Sequence, residues 1–379
     1  MSDSNTSFRI YKYRLYPSRA QERNLFRVLN GARHLYNMAL AERRYAWEFE
    51  QRRVTLDDLD TLAKHYRAKM PYGQQMYSQT AQCVIRQVDA AFEAFFRRVK
   101  TGKPPGYPRF KQRTQFNSVL FPQCDSGAKI DGRRLRLFGV GRVPVRWHRM
   151  MEGTLKTTRI LHRAGQWFVL FTCEVVKSKP LKKTGKAIGI DVGLSALITT
   201  SDGNKVDHPK FYREGQKRLR VLQRSVQRKK KGGRNRRKAL LKVQRQHAHV
   251  ANQRRDFAHK LSFTLVKHFD MIGVEDLRIA NMVRNKHLSK SILDAGWAIF
   301  TQLLTSKAES AGRDVIFVNP AYTSKTCSHC GALFEHLTLA VRWVECDCGL
   351  SLDRDHNAAI NILKRTGWDA SAGVNVERS

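Results

Sequence analysis

Four cysteines in two close pairs constrain this chain more than any other feature. They read C-S-H-C at 327–330 and C-D-C at 346–348, with fifteen residues between the pairs. Four thiolates at such spacing suit a tetrahedral zinc ion with no open position, so the metal is expected to be structural. His329 and His336 stand nearby and read as surface residues rather than ligands. Cys83, Cys124 and Cys173 stand alone, and the N-terminus M-S-D-S-N-T-S-F lacks a signal-peptide layout. The expectation is an intracellular, reducing setting, where clustered cysteines bind metal instead of pairing as disulfides.

The clip ends five residues before Asp353, which opens the pattern D-R-D-H-N-A-A-I-N. That pattern reads as a closing helix over 353–363. Two acids compete for a role there. Asp353 is placed to cap the helix N-terminus. Asp355 is placed to project into a site, with Asn357 as a polar neighbour. Residues two apart diverge by about 200° around a helix, which does not by itself say which acid is functional.

Two earlier acids interrupt apolar strands. The stretch A-I-G-I-D-V-G-L-S-A-L-I-T-T-S-D-G at 187–203 reads as a hairpin, with Asp191 inside its first strand. A carboxylate there is costly unless it is paired or binds a metal; the alternative is a bulge acid with local hydrogen bonds. M-I-G-V-E-D-L at 271–277 reads as a buried strand ending at Glu275. Helix 291–311 and strand 314–318 follow. The order hairpin, helices, strand, helix, strand, helix fits an RNase H-like sheet in which Asp191, Glu275 and Asp355 converge. Three hard oxygen donors suit two Mg²⁺ ions and phosphodiester hydrolysis.

The partner of such a site follows from charge. Lys and Arg number 70 against 32 Asp and Glu, for a formal net charge of +38. A polyanion is implied, with nucleic acid favoured over a membrane surface, since no run approaches the roughly 18 apolar residues of a span. The densest cations lie in 205–260, with 20 Lys/Arg and 3 acids. This region reads as two amphipathic helices around Gly232 and Gly233. The tip carries Arg228, Lys229, Lys230, Lys231, Arg234, Arg236 and Arg237, and is expected to track a nucleic-acid backbone. Arg342, between the cysteine pairs, is a further candidate for meeting a nucleic-acid strand.

The first half of the chain is of a different kind. F-R-I-Y-K-Y-R-L-Y at 8–16 alternates apolar and basic residues, a period-two strand that shows Arg9, Lys12 and Arg14 on one face. Pro17 ends it and Ser18 is a helix-cap residue. Residues 18–100 are mostly helical by spacing. In the helix 78–99, Ser78 and Gln82 lie opposite the apolar side. Gln82 is either a solvent-facing residue or a reader of a base edge. T-G-K-P-P-G-Y-P-R-F at 101–110 is a connector, and 116–178 reads as short strands of a small barrel that the N-terminal strand joins. A basic linker, 177–186, separates the halves.

These segments together resemble the TnpB family of insertion-sequence-encoded, RNA-guided DNA endonucleases, related to compact type V CRISPR effectors. The resemblance rests on Y-K-Y-R-L-Y-P at 11–17, G-Y-P-R-F at 106–110, G-I-D-V-G at 189–193, V-E-D-L at 274–277, D-A-G-W at 294–297, T-S-K-T-C-S-H-C-G at 323–331 and C-G-L-S-L-D-R-D-H-N-A-A-I-N at 348–361. The C-D-C arm departs from the usual C-x2-C. The resemblance implies a multidomain α+β protein: a wedge domain with its first strand at 1–17 and its β-barrel at 116–180, and a helical recognition domain at 18–115. It further implies a RuvC nuclease domain at 185–320 with a closing helix at 351–366, a zinc-bearing target-nucleic-acid-binding insertion at 321–350, and a disordered tail at 367–379. It implies two catalytic Mg²⁺ ions, one structural Zn²⁺, and the third acid at Asp355. It also implies a structured guide RNA, double-stranded target DNA opened beside a short motif read from the helix of Gln82, and a monomer within a ribonucleoprotein of the bacterial cytoplasm. A nuclease-inactive DNA-binding regulator and a strand-transferring transposase are the competing functions.

Overall fold

A computed structural model describes residues 6–177, 179–285, 289–335, 337–338, 341–369 and 374–375. His336 lies outside them. The chain divides into two compact units, 1–177 and 178–379.

The first unit opens with β1 (Thr6–Leu15), then α1 (Arg19–Glu50), α2 (Leu56–Lys69) and α3 (Ser78–Lys100). Six strands follow: β2 (Ser118–Phe121), β3 (Ala128–Asp131), β4 (Arg134–Leu137), β5 (Gly141–Arg146), β6 (Thr154–Arg163) and β7 (Gln166–Val176). They form an antiparallel sheet in the order β2-β6-β7-β1-β5-β4-β3, so the N-terminal strand joins the barrel strands and the helices are an insertion. Alternation explains the pairing. Tyr11, Tyr13 and Leu15 are buried, with Val169 and Phe171 of the neighbouring strand in the same core. Ser18 and Gln21 form a capping box that starts α1, and Leu25, Leu29, Ala32, Leu35, Tyr36 and Ala39 keep its buried face.

The second unit contains β8 (Ala187–Asp191), β9 (Ala196–Thr200), β10 (Lys205–Asp207), α4 (Phe211–Gln227), α5 (Arg234–His268) and β11 (Met271–Glu275). It continues with α6 (Ile279–Met282), α7 (Ser289–Ala295), α8 (Trp297–Ala311) and β12 (Asp314–Val318). A small hairpin, β13 (Trp343–Glu345) and β14 (Ser351–Asp353), leads into α9 (Arg354–Lys364), and β15 (Trp368–Asp369) pairs with β16 (Val374–Asn375). The central sheet runs β10-β9-β8-β11-β12, with β8, β11 and β12 parallel and β9 and β10 antiparallel.

Period two sorts the residues of this sheet onto its faces. Ile188, Ile190, Ile272 and Val274 share a core with Ala258 and Leu265 of α5 and Trp297, Phe300 and Leu304 of α8. The intervening positions, Gly189, Asp191, Gly273 and Glu275, face the other way, toward α9. Both glycines leave room for close neighbours, the backbone of α9 at Gly189 and the Thr366 methyl just beyond α9 at Gly273. A Cβ on Gly189 would lie 2.1 Å from the Ala359 carbonyl oxygen, and one on Gly273 would lie 2.6 Å from Thr366.

Several details differ from the sequence reading. Asp191 ends β8 instead of interrupting it. The helix expected over 291–311 is two, broken at Gly296, whose φ of 70° is left-handed. The basic linker is pinned to the second unit: the Thr184 and Gly185 amides donate to Asp270, and Arg313 donates to the Lys182 carbonyl. Residues 281–282 belong to α6, and 286–288 lie outside the described residues. The tail expected to be disordered carries the β15–β16 ribbon; 370–373 and 376–379 lie outside the described residues.

Candidate active site and metal knuckle

Strand register brings the first two acids together. β8 and β11 pair in parallel with Ile190 beside Val274, so Asp191 and Glu275 are neighbours at the C-terminal strand ends, on the same face. Asp355 arrives from the first turn of α9. Its Oδ2 accepts a hydrogen bond from Ser195 Oγ at 3.2 Å, and its Oδ1 lies 3.7 Å from Arg354 Nε and 3.8 Å from Arg342 Nη1. Asp353 is the cap. Its Oδ1 accepts from the amides of Asp355 and His356, and Lys205 of β10 grips its Oδ2 at 2.8 Å. The cap expected at Asp353 is therefore present.

The electrostatics are those of acids crowded together in a basic chain. Burial, then the negative charges of Glu275 and Asp355, push Asp191 well above the ordinary carboxylate range, with Arg354 opposing. Burial also raises Glu275, against the Thr323 hydroxyl and the Arg365 charge. Such perturbation at strand ends makes these acids the candidate functional site. The acids do not form a tight single-ion cage. Among the described residues, the group of ligand atoms packed for one ion is the four cysteines.

Those four sulfurs lie within 4.8 Å of one another, with Cys327 and Cys348 at 3.6 Å and Cys330 and Cys346 at 3.5 Å. A tetrahedron with Zn–S bonds of about 2.3 Å has edges of about 3.8 Å, so the arrangement fits zinc. The C-D-C arm reaches this geometry through a tight turn, in which Cys346 N donates to Leu350 O and Gly349 N to Cys346 O. Burial opposes ionisation of Cys327, but the amides of Cys330 and His329 and the neighbouring thiols outweigh it and bring its pKa to about 7. Although the Cys348 amide favours a thiolate at Cys346, burial and the crowded sulfurs raise that group to about 12. The cluster therefore needs a cation before all four can ionise. His329 is exposed and outside the cluster.

Asn357 does not face the acids. It is fully buried and bonds to the loop that enters the knuckle, accepting from Ser328 N at 2.8 Å and donating to Thr326 O at 2.8 Å. At the basic tip, Arg228, Lys230, Lys231, Arg234 and Arg237 are exposed. Lys229 and Arg236 bond to the end of α4, at Ser225 and at the Val226 and Lys229 carbonyls. Arg342, expected at a nucleic-acid strand, is half exposed and beside Asp355. In the first unit, Ser78 and Gln82 are half-buried on α3, and Arg14 lies against the Tyr16 and Phe168 rings. Sequence reasoning missed Ser195, Thr323, Lys205 and Arg354. None of the four carried a local signal in the sequence.

A parallel core edged by a hairpin, acids at the strand ends, and a closing helix introduced by a four-cysteine knuckle define a RuvC-type α+β protein with a zinc-knuckle insertion. Residues 170–286 match the IS605 OrfB family, described as "Probable transposase". Residues 297–362 match the Cas12f1-like TNB domain, and 9–52 a helix-turn-helix domain of IS605 OrfB, which here folds as β1 and one continuous helix. A Streptomyces pristinaespiralis protein with the provisional name RNA-guided DNA endonuclease is 36% identical over 370 residues, covering 96% of this chain and 90% of that one. InsQ of Escherichia coli K12, provisionally named likewise, is 31% identical over 93% of this chain and 91% of its own. The solved structure of a Cas12f1-sgRNA-target DNA complex aligns over 95% of this chain and 99% of its own, with a TM-score of 0.59 at 15% identity, a likeness of fold. The chain belongs to the TnpB family, the OrfB proteins of IS605 elements. Among the described residues, no helix is long and apolar enough to cross a membrane.

Proposed function

We propose that this chain is an RNA-guided DNA endonuclease of a transposable element, cutting by metal-dependent phosphodiester hydrolysis in one site. The observation that carries the reading is the gathering of Asp191, Glu275 and Asp355 at one end of the sheet, in a chain of net charge +38. Three carboxylates are hard donors and fit Mg²⁺, whereas the four thiolates fit zinc. Asp191, Glu275 and Asp355 would hold two Mg²⁺ ions, which when bound supply an activated water and neutralise charge on the scissile phosphate. The surrounding residues orient these acids. Ser195 and Thr323 each hold one oxygen of a carboxylate, limiting its rotation. Arg342, beside Asp355 yet half exposed, is placed to meet a strand phosphate.

The names of the two relatives, and the guide RNA and target DNA bound in the Cas12f1 complex, support the partners: a structured guide RNA and a double-stranded target. In this reading the exposed tip cations track RNA backbone, and Ser78 and Gln82 read a short motif beside the target. The first unit serves as wedge and recognition domains, the second as nuclease with its zinc insertion, and a single copy works within a ribonucleoprotein in the bacterial cytoplasm. The test is cleavage of a guide-matched duplex by purified ribonucleoprotein, wild type against Asp191→Ala. Cutting is lost in the variant while RNA is retained. Equal cutting by both removes the active-site assignment, binding without cutting by wild type favours a regulator, and joined strands favour a transposase.

A further inference from the structure

The side of α9 that carries Asn357 continues with Asn361, Lys364 and Arg365, spaced i, i+4, i+7 and i+8, which is one stripe of a helix. Every one of them binds backbone of the segment that runs from β12 into the knuckle. Asn357 takes the Ser328 amide and the Thr326 carbonyl. Asn361 donates to the Thr323 carbonyl at 2.9 Å and the Thr326 carbonyl at 2.6 Å. Lys364 donates to the Ser328 carbonyl, and Arg365 to the Asn319 and Ala321 carbonyls, both at 2.7 Å. Thr323, Ser328, Asn357 and Asn361 are all buried, so the central bonds of this network are interior, while Asn319, Pro320, Ala321, Tyr322 and Lys325 of the same segment are exposed.

Among the described residues, the segment reaches the acids through Thr323. The Thr323 hydroxyl contacts Glu275 Oε1 and also lies 3.1 Å from the Pro320 carbonyl. It has a single hydrogen, and an ionised carboxylate is the stronger acceptor, so the bond goes to Glu275. The other end of the segment is Cys327, one of the four clustered thiols. One short stretch, buried at both ends, thus joins the knuckle to a catalytic carboxylate.

We propose that Thr323 is the positioning residue of Glu275, and that the zinc knuckle and the asparagine stripe of α9 together hold Thr323 in place. This rests on the reading of Glu275 as a divalent-ion ligand. Hydrogen-bond partners that orient a ligand carboxylate commonly change metal affinity about 10- to 100-fold when removed. The zinc site therefore acts on the acids through a defined chain of hydrogen bonds, in addition to holding its own loop.

The test is Mn²⁺ binding to the full-length, zinc-loaded chain, followed by electron paramagnetic resonance, with zinc content measured in parallel. Thr323→Val should bind Mn²⁺ about 10- to 100-fold more weakly with one zinc retained, and Thr323→Ser should restore it. Asn361→Ala, with zinc retained, should weaken Mn²⁺ binding in the same direction, and should add little when combined with Thr323→Val. Wild-type Mn²⁺ affinity in Thr323→Val overturns the positioning role. Fully additive losses in the double variant overturn the link through α9. Chelation of zinc from wild type should bring Mn²⁺ affinity down to that of Thr323→Val; unchanged affinity in a zinc-free chain that keeps its circular dichroism overturns the role of the knuckle. Asp191→Asn separates the two layers: if it too leaves Mn²⁺ binding unchanged, the ion site itself is misassigned.

Discussion

Gly189→Ala puts a methyl group where α9 packs on β8. The added Cβ would lie 2.1 Å from Ala359 O, 2.6 Å from Leu363 N and 2.9 Å from Leu363 Cβ, whereas real Cβ atoms essentially never approach closer than 3.0 Å. Two of the three opposing atoms are backbone, so no side chain can swing aside. The helix and strand must part by about 1 Å, and overpacking of this kind costs about 1–3 kcal/mol. For a unit of this size that lowers the melting temperature by roughly 2–12 °C. The larger effect is on function, because Asp191 leaves from β8 two residues on and Asp355 sits one turn before Ala359. A misplacement of about 1 Å in reacting groups costs about 100-fold in rate. The assay is single-turnover cleavage by ribonucleoprotein well below the variant's melting temperature, with zinc content and RNA affinity as controls expected to stay at wild-type values. Cleavage within about threefold of wild type, in a variant shown to be folded, would refute the claim that this packing positions the acids.

Further outcomes follow from other parts of the molecule. Asp191→Asn should abolish cutting yet raise the melting temperature measured without added Mg²⁺, since it removes a desolvated charge facing Glu275 and Asp355. Because the folded carboxylate keeps its proton above the pH at which the unfolded one loses it, wild type should lose stability as pH rises from the ordinary carboxylate range, and the variant should show a shallower loss. Cys346→Ser should lower bound zinc below one per chain by metal analysis; full retention would undo the clip. Asp270→Ala should cost about 3–5 kcal/mol in urea unfolding, because the Arg313 guanidinium, 1% exposed, would keep its charge and lose its partner. Removing Arg228, Lys230, Lys231, Arg234 and Arg237 together should weaken RNA binding and flatten its salt dependence by about 0.7 in log–log slope for each phosphate no longer neutralised; an unchanged slope would exclude the tip.

The sequence disclosed what depends on local contrast. An acid in an apolar strand or at a helix start after a metal clip stands out because its burial is costly, and Asp191, Glu275 and Asp355 were visible for that reason. The alternation of Tyr11, Tyr13 and Leu15 likewise announced a strand that would seek a sheet. What stayed hidden depends on distant partners. Thr323 takes its meaning from Glu275, 48 residues earlier, and a hydroxyl in a loop without periodicity carries no sign of this. The pattern suggests Asn357 as a polar neighbour of Asp355, but it sits about 200° around the helix from Asp355, on the side of the zinc loop. Composition made 177–186 a linker, whereas Asp270 and Arg313 hold it to the second unit from 86 and 131 residues away. The strands β13 and β14, three residues each, were too short to show a period.

The central claim is that Asp191, Glu275 and Asp355 share divalent ions. The direct measurement is a structure of the ribonucleoprotein with target DNA and Mn²⁺, recorded so that manganese is identified by its anomalous scattering. The account predicts manganese bound by carboxylate oxygens from all three residues, beside the scissile phosphate. Manganese bound elsewhere, with these three side chains turned away from it, would contradict the account.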